Sequence, residues 1–223
     1  MIEIKNRHTG AVIYRSETAE MIAQAVTELI AKTRKMGRRV NLSGINLSGI
    51  NLSYTDLSYA DLSGVNLSHT DLSYVNLSYA DLSGVNLSHT DLSYVNLSYV
   101  DLSGINLSYA NLSYANLNGV SLSYVDLSYA DLSGVSLSYA DLSYVNLYGS
   151  NLVSLGFDTQ GCHLLLYHEN EQCIIRAGYR EFNFPQARRH WAAKPEFLAR
   201  LDLAEAIARS RGWIIEEVQQ CKS

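Results

Sequence analysis

Nine aspartates lie between residues 40 and 154, and no lysine or arginine accompanies them. Two chemistries suit such a set. Aspartate, like asparagine, hydrogen-bonds the local backbone at turns. A line of carboxylates also presents the negative charge that DNA-binding proteins recognise. Their spacing makes the second reading concrete: Asp61, Asp81, Asp101 and Asp141 are separated by multiples of twenty residues, and so are Asp71, Asp91 and Asp131. Thirteen tyrosines share the segment. Tyr54, Tyr74, Tyr94 and Tyr114 form one twenty-residue series; Tyr59, Tyr79, Tyr99 and Tyr139 form another, interrupted at Gly119. Stacked rings stabilise, and an exposed aromatic stripe also suits a protein partner. Other chemistry finds little support. His69 and His89 are a pair where a metal site wants more converging ligands. Cys162 and Cys173 lack two-residue zinc spacing, and the many serines have no base repeated beside them. No nucleophile elbow, phosphate loop or zinc helix occurs. The expectation is no enzyme, no cofactor and no metal.

A repeat must position these side chains. From Val40 to Ser154 the chain reads in twenty-three groups of five, each with Leu at its centre. Asp or Asn precedes that Leu except at Ser121 and Ser136, and Ser follows it except at Asn118, Tyr148 and Val153. The first position is small or β-branched; the fifth is Gly, Tyr or His until the final Ser154. A period of five fits neither helix nor strand, so the chain must turn regularly. Residues 55–74 and 75–94 differ only at Thr55/Val75 and Asp56/Asn76. Four groups of five therefore make one square coil, stacked on its neighbours at roughly the 4.8 Å spacing of paired strands, in a rod of about 28 Å. The two aspartate series become rails on opposite sides, with an asparagine-rich side between them that carries Asp only at Asp126, and Asp56 alone on the fourth. Stacking like charges at ~4.8 Å costs about 0.9 kcal/mol per pair even in water. Nine charges along the rod give roughly one per 3 Å, against one per ~1.7 Å in duplex DNA.

These residues resemble the pentapeptide-repeat family, whose motif is a small residue, Asp/Asn, Leu/Phe, Ser/Thr/Arg and often Gly. Ala60-Asp61-Leu62-Ser63-Gly64 and Ala80-Asp81-Leu82-Ser83-Gly84 match it throughout. The resemblance implies a mainly β fold, a right-handed quadrilateral β-helix solenoid of about six coils, with the central Leu and the first residue pointing inward. It also implies a precedent for mimicry, since the family includes quinolone-resistance proteins that bind DNA gyrase.

The ends differ in composition. Residues 1–39 carry a net charge of +4, residues 40–154 carry −9, and residues 155–223 are neutral. Residues 2–15 read as a hairpin turning at Thr9-Gly10, and 18–36 as a helix stopped by Gly37. Lys32, Arg34, Lys35, Arg38 and Arg39 follow as a helix C-terminal charge beside an acidic rod. Beyond the repeat, strands are expected at Cys162–His168 and Cys173–Gly178, a helix capped by Asn183, and a second from Pro195 to about Arg211. The expected division is 1–39 as an α/β cap, 40–154 as the β-helix, and 155–223 as an α/β domain. Ile174–Tyr179 with Ala187–Trp191, and Met1–Arg7 with Thr9-Gly10, resemble the ends of phage and prophage pentapeptide-repeat proteins. That resemblance implies Cys where Tyr179 stands, so no reactive thiol is inherited.

Two prolines and three cysteines exclude collagen-like, linker and disulfide-framework classes, and no apolar run is long enough to cross a membrane. The expectation is a cytoplasmic, non-enzymatic interaction scaffold, an acidic DNA mimic for a host topoisomerase or defence nuclease. A protein partner is expected rather than direct nucleic-acid or membrane binding, and a homo-oligomer is allowed. The alternative is a rigid spacer that displays the C-terminal domain.

Overall fold

A computed structural model describes residues 1–18, 21–157, 163–169, 172–177 and 180–213. Met1–Ser150 and Asn151–Ser223 are two compact units.

In the first unit each group of five is a short extended piece followed by a turn. The carbonyl of the central Leu accepts the N–H three residues on, as in Val75 to Leu72 at 3.2 Å and Ala115 to Leu112 at 3.0 Å. The fifth residue of the group sits third in this turn with φ positive, the requirement of a type II turn. Glycines meet it with φ of 62–71° and tyrosines and histidines with 56–62°. The extended pieces pair in parallel with residues twenty positions on, from Asn41↔Asp61 to Asp126↔Asn146. In these pairs Leu donates forward, and in most of them the Asp, Asn or Ser opposite donates back: Leu42 to Asp61 and Asp61 to Val40, both at 2.8 Å. The turn adds a third bond, Gly44 to Ser63 at 2.9 Å. Four sides thus close every coil.

Leu and the first residue of each group point inward, as the resemblance implied. Leucines from Leu42 to Leu132 are buried, while Leu137, Leu142 and Leu147 are half-buried. Thr70 and Thr90 enter this core because their hydroxyls donate to the Leu47 and Leu67 carbonyls at 2.9 and 3.0 Å.

The N-terminal end is closed by a hairpin and a helix. Strands β1 (Ile2–Lys5) and β2 (Val12–Ser16) pair antiparallel, and α1 (Ile22–Lys35) packs Ala25, Val26 and Ile30 inward. Asn6 holds the hairpin loop by accepting from His8 and Thr9, and its amide donates to Ser43 O at 3.1 Å. Arg7 N–H donates to Gly44 O at 2.7 Å. From α1, Arg34 reaches Asp56 at 2.8 Å and also donates to Ser58 O. The Ser43 and Ser58 carbonyls are of the kind that accepts from a preceding coil within the repeat, as Ser63 O does from Gly44 N–H.

The second unit is a four-stranded antiparallel sheet in the order β3 (Leu152–Phe157), β4 (His163–Glu169), β5 (Gln172–Ala177), β6 (Arg180–Phe182). Helices α2 (Phe184–His190) and α3 (Pro195–Ser210) follow. Leu164, Leu166 and Ile175 form its core with Phe184, Trp191, Phe197 and Leu201. Asn183 caps α2 in a reciprocal box with Gln186. Three elements differ from expectation. Helix α1 begins at Ile22 rather than at residue 18. The last group of five, Ser150–Ser154, runs into β3, because Val153-Ser154 replaces the Ser–Gly/Tyr turn pair. Strand β6 has only three residues, too few for a periodic signal. Cys162 and Tyr179 lie outside the described residues.

Candidate interaction site

Each aspartate of the two rails does a local task first. Its Oδ1 accepts the N–H of the serine two residues on: Asp61 from Ser63 at 3.1 Å, Asp71 from Ser73 at 3.0 Å, Asp81 from Ser83 at 3.0 Å. Asp91, Asp101, Asp131 and Asp141 repeat this at 2.9 Å. Asparagine does the same, as in Asn66 with Ser68 at 3.2 Å and Asn96 with Ser98 at 3.1 Å. The turn therefore needs the oxygen and not the charge. Backbone and hydroxyl donation from Ser83 holds the Asp81 carboxyl below its usual range. Hydroxyl and backbone donation from Ser103 and Ser143 does the same for Asp101 and Asp141.

The structure places Asp61, Asp81, Asp101 and Asp141 in one column and Asp71, Asp91 and Asp131 in another, on alternate sides of the coil. The second rail is tempered by amides: Asn51 donates to Asp71 at 2.7 Å and Asn111 to Asp91 at 3.2 Å. The first rail has a seam. Asp61 pairs with Asp81, and Asp101 with Ser121, but among the described residues no bridge joins Asp81 to Asp101. The Leu82 and Gly84 N–H groups make no bond to the next coil there. A groove of about 420 Å³ opens between the coils, lined by Tyr79, Asp81, Gly84, Tyr99 and Asp101 among others. Nothing in the spacing marks this place.

The corners carry the rings. Tyr54, Tyr74, Tyr94 and Tyr114 stack at 4.8, 4.6 and 5.0 Å, and Tyr59, Tyr79 and Tyr99 at 5.0 and 5.3 Å. The His69–His89 pair extends into a third ladder through Tyr109 and Tyr129, with rings at 4.8, 4.8 and 4.9 Å. Tyr124 and Tyr144 make a fourth. Sorting by position rather than by residue type would have found both. Tyr139 shares a column with Tyr99, yet the residue is 98% exposed and stacks on no ring among the described residues, since Gly119 stands between them. Three ladders end on a glycine under the last ring. A Cβ at Gly134 would lie 2.5 Å from the Tyr114 ring, one at Gly149 2.5 Å from Tyr129, and one at Gly119 3.0 Å from Tyr99.

The four sides therefore differ. Two carry the rails. One carries Asn66, Asn86 and Asn106. The fourth carries Asn76, Asn96 and Asn116 between the Tyr54 and Tyr59 ladders. Among the described residues, no three His, Cys, Asp or Glu side chains are gathered to hold a metal ion, and no helix is long and apolar enough to cross a membrane. Burial pushes the Cys173 thiol up, away from the reactive thiolate.

The family model described as pentapeptide repeats matches eight copies between residues 38 and 152. Among solved structures, the pentapeptide repeat protein Rfr23 from the cyanobacterium Cyanothece 51142 is similar at 28% identity and a TM-score of 0.50, over 56% of this chain and 98% of that one. A pentapeptide repeat protein of the Arabidopsis thaliana thylakoid lumen aligns at 28% identity over 47% of this chain and 72% of its own, with a TM-score of 0.26. QnrB1, a plasmid-mediated fluoroquinolone resistance protein, aligns in trypsin-treated form at 20% identity over 49% and 75%, with a TM-score of 0.22. No curated protein matches the chain in sequence.

Proposed function

The chain belongs to the pentapeptide-repeat family, whose right-handed β-helical repeats fill just over half of it, and on that premise we propose a non-enzymatic protein-interaction scaffold that works through its acidic rails. One observation carries the reading. Asparagine satisfies the turn as well as aspartate does, so the charge of Asp61, Asp71, Asp81, Asp91, Asp101, Asp131 and Asp141 exceeds structural need. Stacked like charges cost energy, and a partner with basic groups turns that cost into attraction. The partner chemistry is the phosphate-binding surface of a protein that acts on nucleic acid, such as a topoisomerase or a defence nuclease. The Tyr ladders flank the rails as aromatic contact area. In the same proposal the repeat coils run from residue 40 to Ser150, between a cap at 1–39 and an α/β domain that begins at Asn151 rather than at the expected 155, in the cytoplasm of a bacterial host.

The test is affinity capture from a bacterial lysate with two baits, the wild type and a form with those seven aspartates changed to Asn, matched in circular dichroism. Retention of a DNA-binding protein by wild type alone, released by added salt and by competing duplex DNA, supports the proposal. Equal retention by both baits overturns it and favours a rigid spacer whose Asp residues only make turns.

A further inference from the structure

We propose that the side carrying Asn76, Asn96 and Asn116 is a self-association surface, and that its occupant is the same side of a second copy of this chain. Its centre is uncharged from Asn76 onward; the one carboxylate in its column, Asp56, is paired with Arg34. Its polar groups satisfy one another. Asn96 donates to Asn76 and Asn116 to Asn96, each at 3.2 Å. The same amide oxygens accept from Ser78, Ser98 and Asn118 N–H groups. Covering such a floor strips little water from unmet donors and acceptors. The rail sides lack this property, since carboxylates would be desolvated there without partners.

Aromatic walls supply the area. Tyr54, Tyr74, Tyr94 and Tyr114 line one edge and Tyr59, Tyr79 and Tyr99 the other, each ring 47–75% exposed. A tyrosine buries 150–250 Å², so half-exposed rings offer roughly 100 Å² each and seven offer up to about 700 Å². A standard interface takes about 800 Å² from each partner. The asparagine side opposite has no such pair of walls, because Gly64, Gly84 and Gly104 occupy one of its corners.

Self-complementarity selects a second copy as the occupant: the neutral, internally bonded floor and its two ring walls meet the same features on another copy. Any two of these rods repel through their rails. Joined through this side, the rails of both protomers turn outward to left and right, where salt screens them. Both surfaces repeat at the coil spacing, so rings of one copy meet rings of the other in register along the two ladders. The interface is isologous, as closed dimers require.

Sedimentation equilibrium of the full chain over a concentration series tests this. The expected result is a reversible dimer that persists in high salt. A form with Tyr74, Tyr79, Tyr94 and Tyr99 all changed to Gly, a residue this corner position already uses, should be monomeric. A second form, Asn76→Asp with Asn96→Asp and Asn116→Asp, keeps the turn chemistry of the rails and should also be monomeric. Tyr109→Gly with Tyr129→Gly, on another corner, should leave the dimer intact. A wild type that stays monomeric throughout the series overturns the proposal, and so does a dimer that survives the aspartate form. Both results are independent of the rails: the seven-Asn bait dimerises whether or not it captures a partner.

Discussion

Tyr94 lies in the left-handed region at φ 58° with a ring on either side, Tyr74 at 4.6 Å and Tyr114 at 5.0 Å. Its backbone conformation costs a non-glycine residue about 1–2 kcal/mol. Each stacked pair returns about 0.5–1.5 kcal/mol. Tyr94→Ala removes both pairs and keeps the strain, so it should destabilise the first unit by about 1–3 kcal/mol. Tyr94→Gly removes the same pairs but relieves the strain, less about 0.5–1 kcal/mol for the greater freedom of unfolded glycine. The glycine form should therefore be the more stable of the two by about 1 kcal/mol, the reverse of the order within ordinary helices and strands. Tyr139 supplies the converse, with φ 60° and no stacked ring; Tyr139→Gly should raise stability above wild type. Thermal and urea unfolding of the three forms read this directly, and ~1 kcal/mol is about 2–4 °C for a chain of this size. An alanine form at position 94 as stable as the glycine form would refute the account of the corners as strain held down by stacking.

Three further outcomes are expected. Asp81, Asp101 and Asp141 bind protons less readily folded than unfolded, so their contribution is present above the unfolded carboxylate pKa, near 3.9, and is lost as pH falls through their lower folded values; acid unfolding should be shallower when all three are Asn. Hydrogen exchange should be faster at the Leu82 and Gly84 amides than at Leu62 and Gly64, which donate to Asp81 and Ser83 at 2.9 and 2.8 Å, and equal rates would remove the seam from the first rail. In the second unit, Asn183→Ala should cost about 0.5–2 kcal/mol in thermal unfolding, and Asn183→Asp much less.

The coil was legible in the spacing because two periods coincide: five residues set the turn and twenty set the stack. Columns of Asp and Tyr followed by arithmetic alone. The strain did not, since a tyrosine at a turn gives no sign of its φ. The His69–Tyr129 ladder mixes two residue types, and its continuity lies in geometry rather than identity. The seam falls between coils with the same aspartate at the same place, so a column of identical residues concealed a break in backbone pairing. In the second unit, Asn183, Pro185 and Pro195 announced both helices through capping chemistry, whereas β3 was hidden inside what read as a twenty-third repeat.

A stack of near-copies has no natural starting point. Backbone bonding alone would let the cap seat on the second coil nearly as well as on the first. The ion pair between Arg34 and Asp56 breaks that degeneracy. Along its column the later positions are Asn76, Asn96, Asn116 and Ser136, so a cap displaced by one coil would offer its guanidinium to a neutral amide. An exposed pair of this kind adds little to stability. Its value is as an address: one carboxylate tells the chain which coil is number one.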